Sequence, residues 1–339
     1  MMNDELRIVG ALLVFIHRSS FIIHHFYSMS SLQRYLLAPK APNTAAGFID
    51  DYFAVVDLRR GRRGFSLTSS AVTQLPPGII AQSFDEPNIQ SSEELIEIIL
   101  QTAQAAGLSK KKRWSVALPD SSARSLVVTL ESKPGSRREL DEILNWKIER
   151  VVAVPISELR LSHQKISPAA GQERYLVTVA RDEVLSQYES IFESIGWSAG
   201  LMLPRHLGEA QWLVWDNTPG DKMLISATRS GFTSLVVRNG EPVLVRTYAC
   251  DAESRTDELH RFALYYRDRL AGGSATAGLA GLLVLGGIDR EEALRAVSDA
   301  TESDPRTLDP SEFGFDLAGE TIRFEHLAGA AGLATIAWQ

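Results

Sequence analysis

From residue 44 onward, short apolar runs alternate with turn signals. TAAGFI and YFAVVDL read as strands separated by Asp50 and Asp51, and the turn RRGRRG returns the chain into FSLTSSAVTQL. Strand-length runs bounded by Gly, Asp and Pro predict a three-strand meander, closed by PPGII. In SSEELIEIILQTAQAAG the apolar residues Leu95, Ile96, Ile99, Ala103 and Ala106 recur at helical spacing. Ser91 with Glu94 fits a capping box, and Gly107 fits the C-terminal stop. WSVALP then reads as a buried strand.

The next block is strand, helix, strand, strand. SLVVTL is followed by SRRELDEILNWKIERVV, a helix capped by Ser136 and Glu139 whose apolar stripe runs Leu140, Ile143, Leu144, Ile148, Val151. LRLSHQKI and RYLVTVA follow as strands joined by the loop SPAAGQE. The helix RDEVLSQYESIFESIG presents Val184, Leu185, Tyr188, Ile191, Phe192 and Ile195 on one side and ends at Gly196.

After the polar linker WDNTPGD, the opening pattern returns. KMLISAT and FTSLVVR flank the turn Arg229, Ser230, Gly231, and Asn239-Gly240 signals a hairpin into PVLVRTY. A helix, SRTDELHRFALYYRDRL, and the strand GLLVLGG complete the unit. Meander, helix, strand therefore occurs at 44–118 and again at 222–287, a structural repeat without residue identity. Two similar α/β lobes with a cleft between them are expected. The boundaries read as an N-terminal extension at 1–43, a first lobe at 44–215 with an insert subdomain at about 120–200, and a second lobe at 216–339.

Composition narrows the function. A net charge of −7 argues against a general nucleic-acid binder. Two basic runs stand out against it: Arg59, Arg60, Arg62 and Arg63, then Lys110, Lys111, Lys112 and Arg113. Such runs are ordinarily solvated turns; the sharper reading is contact with an anionic membrane surface. Cys250 is the only cysteine, which excludes an intrachain disulfide and suits a reducing compartment. The apolar run IVGALLVFI near the start is far short of the roughly 20 residues that span a bilayer. Asp4 and Glu5 precede it and no small-residue cleavage site follows, so it makes a poor secretory signal and Met29 is the expected true start. His17, His24 and His25 have no carboxylate or Cys partner nearby for a metal site. His163 and His260 stand singly and read as structural.

The runs VALPDSSARSLVVTLESKP, RRELDEILNWKIERVVAVPISELRLSHQKI, YLVTVARDEVLSQYESIFESIGW, LVVRNGEPVLVRTY, LHRFALYYRDRLAGG and HLAGAAGLAT, in that order and spacing, resemble the PilM family of type IV pilus assembly proteins. The resemblance covers about 44–338 and extends to the related cytoplasmic part of type II secretion proteins. It implies an actin-like (ribonuclease H-like) two-lobed fold with the strand-helix-strand-strand block as an insert in the first lobe. It further implies a cytoplasmic scaffold at the inner face of the inner membrane, peripheral to the membrane through its partner. That partner is a PilN-like bitopic protein whose short N-terminal tail enters a groove between the first lobe's core and the insert. By position, Leu144, Trp146 and Ile148 are the candidate groove wall, against the plainer reading that Leu144 and Ile148 are core. Whether copies of the chain form a homo-oligomer stays open.

The resemblance also implies a site for ATP with magnesium between the lobes, served by the first strand-turn-strand loop of each and a carboxylate on each. Magnesium needs hard oxygen ligands, typically one or two carboxylates. Here Gly47 takes the place of the family's first-strand aspartate, Asp50 and Asp51 fall in the turn, and Asp57 in VVDLRRGRRG offers an alternative register. The second loop, ISATRSGFTS, supplies Ser226, Thr228, Arg229 and Ser230 but no carboxylate. Gly286 and Gly287 keep half of an adenosine-side motif. No catalytic residue is assigned, and the expectation is a degenerate site rather than a working ATPase. A nucleotide, if bound, would meet Asp50, Asp51, Ser226, Thr228, Gly286 and Gly287. The alternative is an active ATPase using Asp50, Asp51 or Asp57 as metal ligand. No P-loop, nucleophile elbow or paired-His metal motif supports other catalysis.

Overall fold

The computed structural model describes residues 41–62, 64–270, 278–315 and 322–339. Met29, His17, His24, His25 and Arg63 lie outside the described residues.

The first meander is β1 (Thr44–Ile49), β2 (Tyr52–Arg60) and β3 (Phe65–Gln74). Every residue of β1 is buried, which is why its sequence is an unbroken run of small and apolar residues rather than an alternation. Helix α1 (Ser92–Ala105) and strand β4 (Arg113–Leu118) follow. Ser91 stands at the N-cap as expected, but its side chain makes no capping hydrogen bond.

The insert contributes β5 (Arg124–Thr129), α2 (Arg137–Val152), β6 (Leu159–Ala169) and β7 (Gln172–Arg181), and α3 (Asp182–Ser194) then packs Val184, Leu185, Tyr188 and Phe192 into the core of the first lobe. The insert's three strands form an antiparallel sheet ordered β5-β7-β6. The Ser136 hydroxyl accepts from the Glu139 backbone N–H, as the sequence predicts. The expected loop SPAAGQE is mostly strand: β6 runs to Ala169, and only Ala170 and Gly171 turn the chain. Pro168 has no N–H to give the ladder, and the register shift between Ile166 and Ala169 accommodates it. Leu144 and Ile148 of α2 pack on Tyr175, Val177 and Val179, forming a core of the insert's own.

Strand β8 (Ser198–Pro204) and helix α4 (Arg205–Trp215) bring the chain back. The first sheet is ordered β3-β2-β1-β4-β8, with β1, β4 and β8 parallel. The second lobe repeats the plan with β9 (Asp221–Thr228), β10 (Gly231–Arg238), β11 (Glu241–Ala249), α5 (Arg255–Arg269), β12 (Leu279–Leu285), α6 (Arg290–Thr301), β13 (Arg306–Thr307) and α7 (Phe324–Thr335). Its sheet order, β11-β10-β9-β12-β13, is that of the first. Meander followed by two parallel strands is thus used twice.

The lobes meet on α4 and α7. A single apolar core joins Ala45, Ala117 and Leu203 of the first sheet to Leu224, Leu235 and Leu283 of the second through Leu207, Trp212, Leu327 and Leu333 of these helices. The helices cross in contact: a Cβ on Gly208 would overlap the Gly329 carbonyl oxygen, and one on Gly332 would overlap the Gly208 carbonyl oxygen. Only glycine permits that approach.

Candidate functional site

The β1–β2 turn and the β9–β10 turn face each other across the lobe junction. Two residues, Asp50 and Asp51, suffice for the first turn because Ile49 pairs directly with Tyr52. Asp50 takes a left-handed conformation (φ 44°), which short polar side chains tolerate. From the second turn, Arg229 reaches Asp51 with both guanidinium nitrogens, Nη1 lying 2.9 Å from Oδ1, and its backbone N–H donates to Asp50 Oδ1 at 3.3 Å. The two loops that would have to receive phosphates are therefore tied to each other. The pair is solvent-facing on the arginine side, with Arg229 69% exposed, so its worth is in holding geometry more than in stability.

Beneath this bridge lies a buried ionic network. Asp120 follows β4 directly, and Arg205 and His206 open α4, so parallel neighbours β4 and β8 deliver all three to one level. Asp120 Oδ1 accepts from the His206 backbone N–H and lies 2.9 Å from His206 Nδ1; Oδ2 accepts from Ser226 Oγ at 3.1 Å. Arg205 Nη2 donates to Ser226 Oγ at 2.7 Å and to the Ala227 carbonyl at 3.1 Å, and Nε lies 3.3 Å from Glu209 Oε1. Burial works to raise the Asp120 carboxyl, but the charges of His206 and Arg205 and the hydrogen bonds from His206 outweigh it and hold it well below the usual range. For Glu209, burial prevails against the pull of Arg205 and pushes the carboxyl up. Asp120 is thus held as the anion beside the Arg205 cation, with Glu209 inclined to the neutral acid.

His206 also lies 2.9 Å from Ser125 Oγ through Nε2. With Asp120 ionised, the carboxylate can only accept, so the Nδ1–H donates to it while Nε2 meets the serine hydroxyl. The connectivity is that of a nucleophile–base–acid relay. At 6% exposed in the body of β5, however, Ser125 is shut off from any substrate. The relay links the insert to the first sheet and to α4.

The remaining sequence-assigned nucleotide residues are committed to structure. The Ser226 hydroxyl is used as both donor and acceptor, as above. Thr228 is buried, and its carbonyl and that of Gly287 are bridged by the Arg255 guanidinium. Gly286 sits where β12 turns against β9, and a Cβ there would overlap the Ala227 carbonyl oxygen. Gly47 lies beneath α7: a Cβ would stand 3.1 Å from that of Ala330 and 3.4 Å from that of Ala117, leaving no room for a carboxylate. The alternative register fails outright. Asp57 pairs with Thr44 at the far end of β1 from the Asp50–Asp51 turn, and its carboxylate is held by Thr44 and Lys111. Among the described residues, no group of three or more His, Cys, Asp or Glu side chains is placed to hold a metal ion.

A second feature lies between the first lobe and the insert. Phe84 and Asp85, from the segment after β3, face Arg124 and Leu126 of β5 and Val151 and Val152 of α2 across a cavity of about 180 Å³. Arg124 lies over the Phe84 ring, 5.0 Å from its centroid, and Asp85 is 3.5 Å from Arg181. The lining mixes four apolar side chains with one cation, Arg124, and one anion, Asp85. The volume is smaller than the roughly 300–1,000 Å³ usual for cofactor sites. Leu144 and Ile148 are wholly buried and cannot form the groove wall assigned to them; Trp146 is 55% exposed but does not line the cavity, its ring lying instead against Arg150. The sequence stripe also included Val151, which the structure leaves 63% exposed at the groove.

A PilM–PilN type IV pilus biogenesis complex superposes with a TM-score of 0.69, over 89% of this chain and 100% of that one, at 15% identity. A Bacteroides thetaiotaomicron protein with an actin-like ATPase fold matches over 79% of this chain and 90% of its own, with a TM-score of 0.48 and 9% identity. The cytoplasmic domain of EpsL, an inner-membrane component of the type II secretion system of Vibrio cholerae, covers 73% of this chain and 83% of its own, with a TM-score of 0.44 and 13% identity. The fold is actin-like. No protein-family model and no curated protein matches the chain.

Within this actin-like frame, Asp120, Ser125, Arg205, His206 and Glu209 are the residues sequence reasoning missed. A usable signal existed in VALPD and LMLPRH, two buried strands each ending in proline and a charge. Charges just past the ends of neighbouring parallel strands converge by topology. The groove lining had no comparable signal, since Phe84, Leu126 and Val152 come from three unrelated segments.

Proposed function

We propose that this chain is an actin-like scaffold of a type IV pilus or related secretion assembly. It holds the N-terminal tail of a PilN-like bitopic inner-membrane protein in the groove between first lobe and insert, and works in the cytoplasm at the inner face of that membrane. The observation that carries the reading is the groove lined by Phe84, Leu126, Val151 and Val152, on a chain whose fold matches a chain of a PilM–PilN complex. Apolar side chains interleaved with one cation and one anion suit a short extended peptide of mixed character whose side chains enter the groove.

The junction residues do not fit a magnesium nucleotide. Asp51 is taken by Arg229, Asp120 is buried against His206 and Arg205, Glu209 inclines to its neutral form, and α7 closes over Gly47. Of the junction carboxylates only Asp50 keeps no side-chain cation, accepting just the Arg229 backbone N–H, so a single ligand remains where the two-loop site would supply one from each lobe to organise the metal and its waters. The proposed role is therefore structural, with the lobes clasped by side chains where a nucleotide would clasp them.

Photo-crosslinking tests the groove. A crosslinking amino acid at Val151 should capture the tail of the bitopic protein encoded beside this chain, whereas one at the exposed Leu100 on α1 should not. Equal capture at both positions, or none at either, contradicts the proposal. Calorimetry with ATP and magnesium should give no heat; binding that vanishes in the Asp50→Ala, Asp51→Ala double variant would restore the ATPase reading.

A further inference from the structure

The two basic runs, far apart in sequence, are one surface. Thr44 of β1 pairs with Asp57, and Ala45 pairs with Ser115, so Arg59 beyond Asp57 and Lys112 before β4 flank the chain where it enters β1. Lys111 Nζ, 2.9 Å from Asp57 Oδ1, fastens the α1–β4 loop to β2. Arg60 is engaged elsewhere, over the Trp215 ring and with the Trp338 carbonyl. Arg59, Arg62, Lys110 and Lys112 stay exposed, and among the described residues none of them forms an ion pair. On a chain of net charge −7, this edge gathers Arg59, Arg62, Lys110 and Lys112 around a single carboxylate, Asp57, that Lys111 already occupies.

We propose that this basic edge of the first lobe rests on an anionic lipid surface. The cations occupy a hairpin tip and a loop rather than a cleft, which suits diffuse headgroup charge. Of the aromatic residues at this end, Trp114, Trp197 and Phe65 are buried, and the half-buried Trp215 and Trp338 are already engaged by Arg60 and Phe65, so a nucleic acid finds little face on which bases could stack and is the poorer fit. The chain also enters the fold here: the Pro42 carbonyl accepts from Ser115 Oγ at 3.0 Å, and residues 1–40, with their apolar run IVGALLVFI, precede it. Membrane contact at this edge does not depend on a partner's tail in the groove, and it would orient the first lobe toward the bilayer.

Co-sedimentation of the full chain with vesicles tests the inference. The chain should pellet with phosphatidylcholine vesicles containing phosphatidylglycerol, not with phosphatidylcholine alone, and release as salt screens the charges. At about fivefold per neutralised cation, Lys110→Glu with Lys112→Glu should weaken binding by more than about tenfold. Arg59→Glu with Arg62→Glu, on the separate hairpin, should do the same and serves if the first pair fails to fold. Equal binding to both vesicle types, or binding untouched by either reversal, would assign attachment to the apolar run and overturn the proposal. So would a preference for a short DNA duplex over anionic vesicles.

Discussion

Asp120 is the residue on which the junction turns, because it meets Arg205, His206 and Ser226 at once. Its carboxyl is depressed below the ordinary 3.8, so its stabilising contribution is full above that value and is lost as pH falls through the lower folded value. Asp120→Asn should therefore be less stable at neutral pH and should show a flatter acid limb in urea midpoints measured below about pH 4. Arg205→Met leaves Asp120 without its buried cation and should cost about 3–5 kcal/mol, read from the same denaturation curves. In the sequence only the strand ends VALPD and LMLPRH hinted at this site. Asp120 and Ser226 are 106 residues apart and Ser125 and His206 are 81 apart, and no local pattern reports that the two serines join those strand ends at one buried level. The Asp50–Asp51 turn was legible because its cause is local: two residues between paired strands.

At the scale of elements, both meanders, α2 and α3 could be read from period and capping, since each buries one face against its own neighbours. What periodicity could not give was which face of α2 meets the first lobe. Leu144, Ile148 and Val151 share one apolar stripe, yet the first two close the insert core while Val151 stands at the groove. Leu144→Ala should accordingly cost about 2–5 kcal/mol, whereas Trp146→Ala should leave both stability and tail binding nearly unchanged, a contrast that thermal melts and tail titration resolve. The α4–α7 crossing is the stricter constraint. Gly208→Ala drives a Cβ into the Gly329 carbonyl, backbone against backbone, and should cost about 3 kcal/mol, the upper end of what overpacking usually costs. Gly78→Ala, with a left-handed φ of 82° but open space around it, should cost only about 1 kcal/mol.

For the molecule as a whole, the duplicated sheets, the shared α4–α7 core and the Asp51–Arg229 bridge describe lobes held by their own side chains. Since that bridge is exposed, Arg229→Ala should barely change the melting temperature yet broaden the distribution of lobe separations seen by small-angle scattering, an effect high salt should mimic. The insert groove then carries the recognition. Its central test is a calorimetric titration of the full chain with the N-terminal tail of the neighbouring bitopic protein. Saturable binding at tens of micromolar or tighter, abolished by Val152→Glu and indifferent to ATP and magnesium, is the predicted result. No binding of that tail, or binding that survives Val152→Glu unchanged, would contradict it.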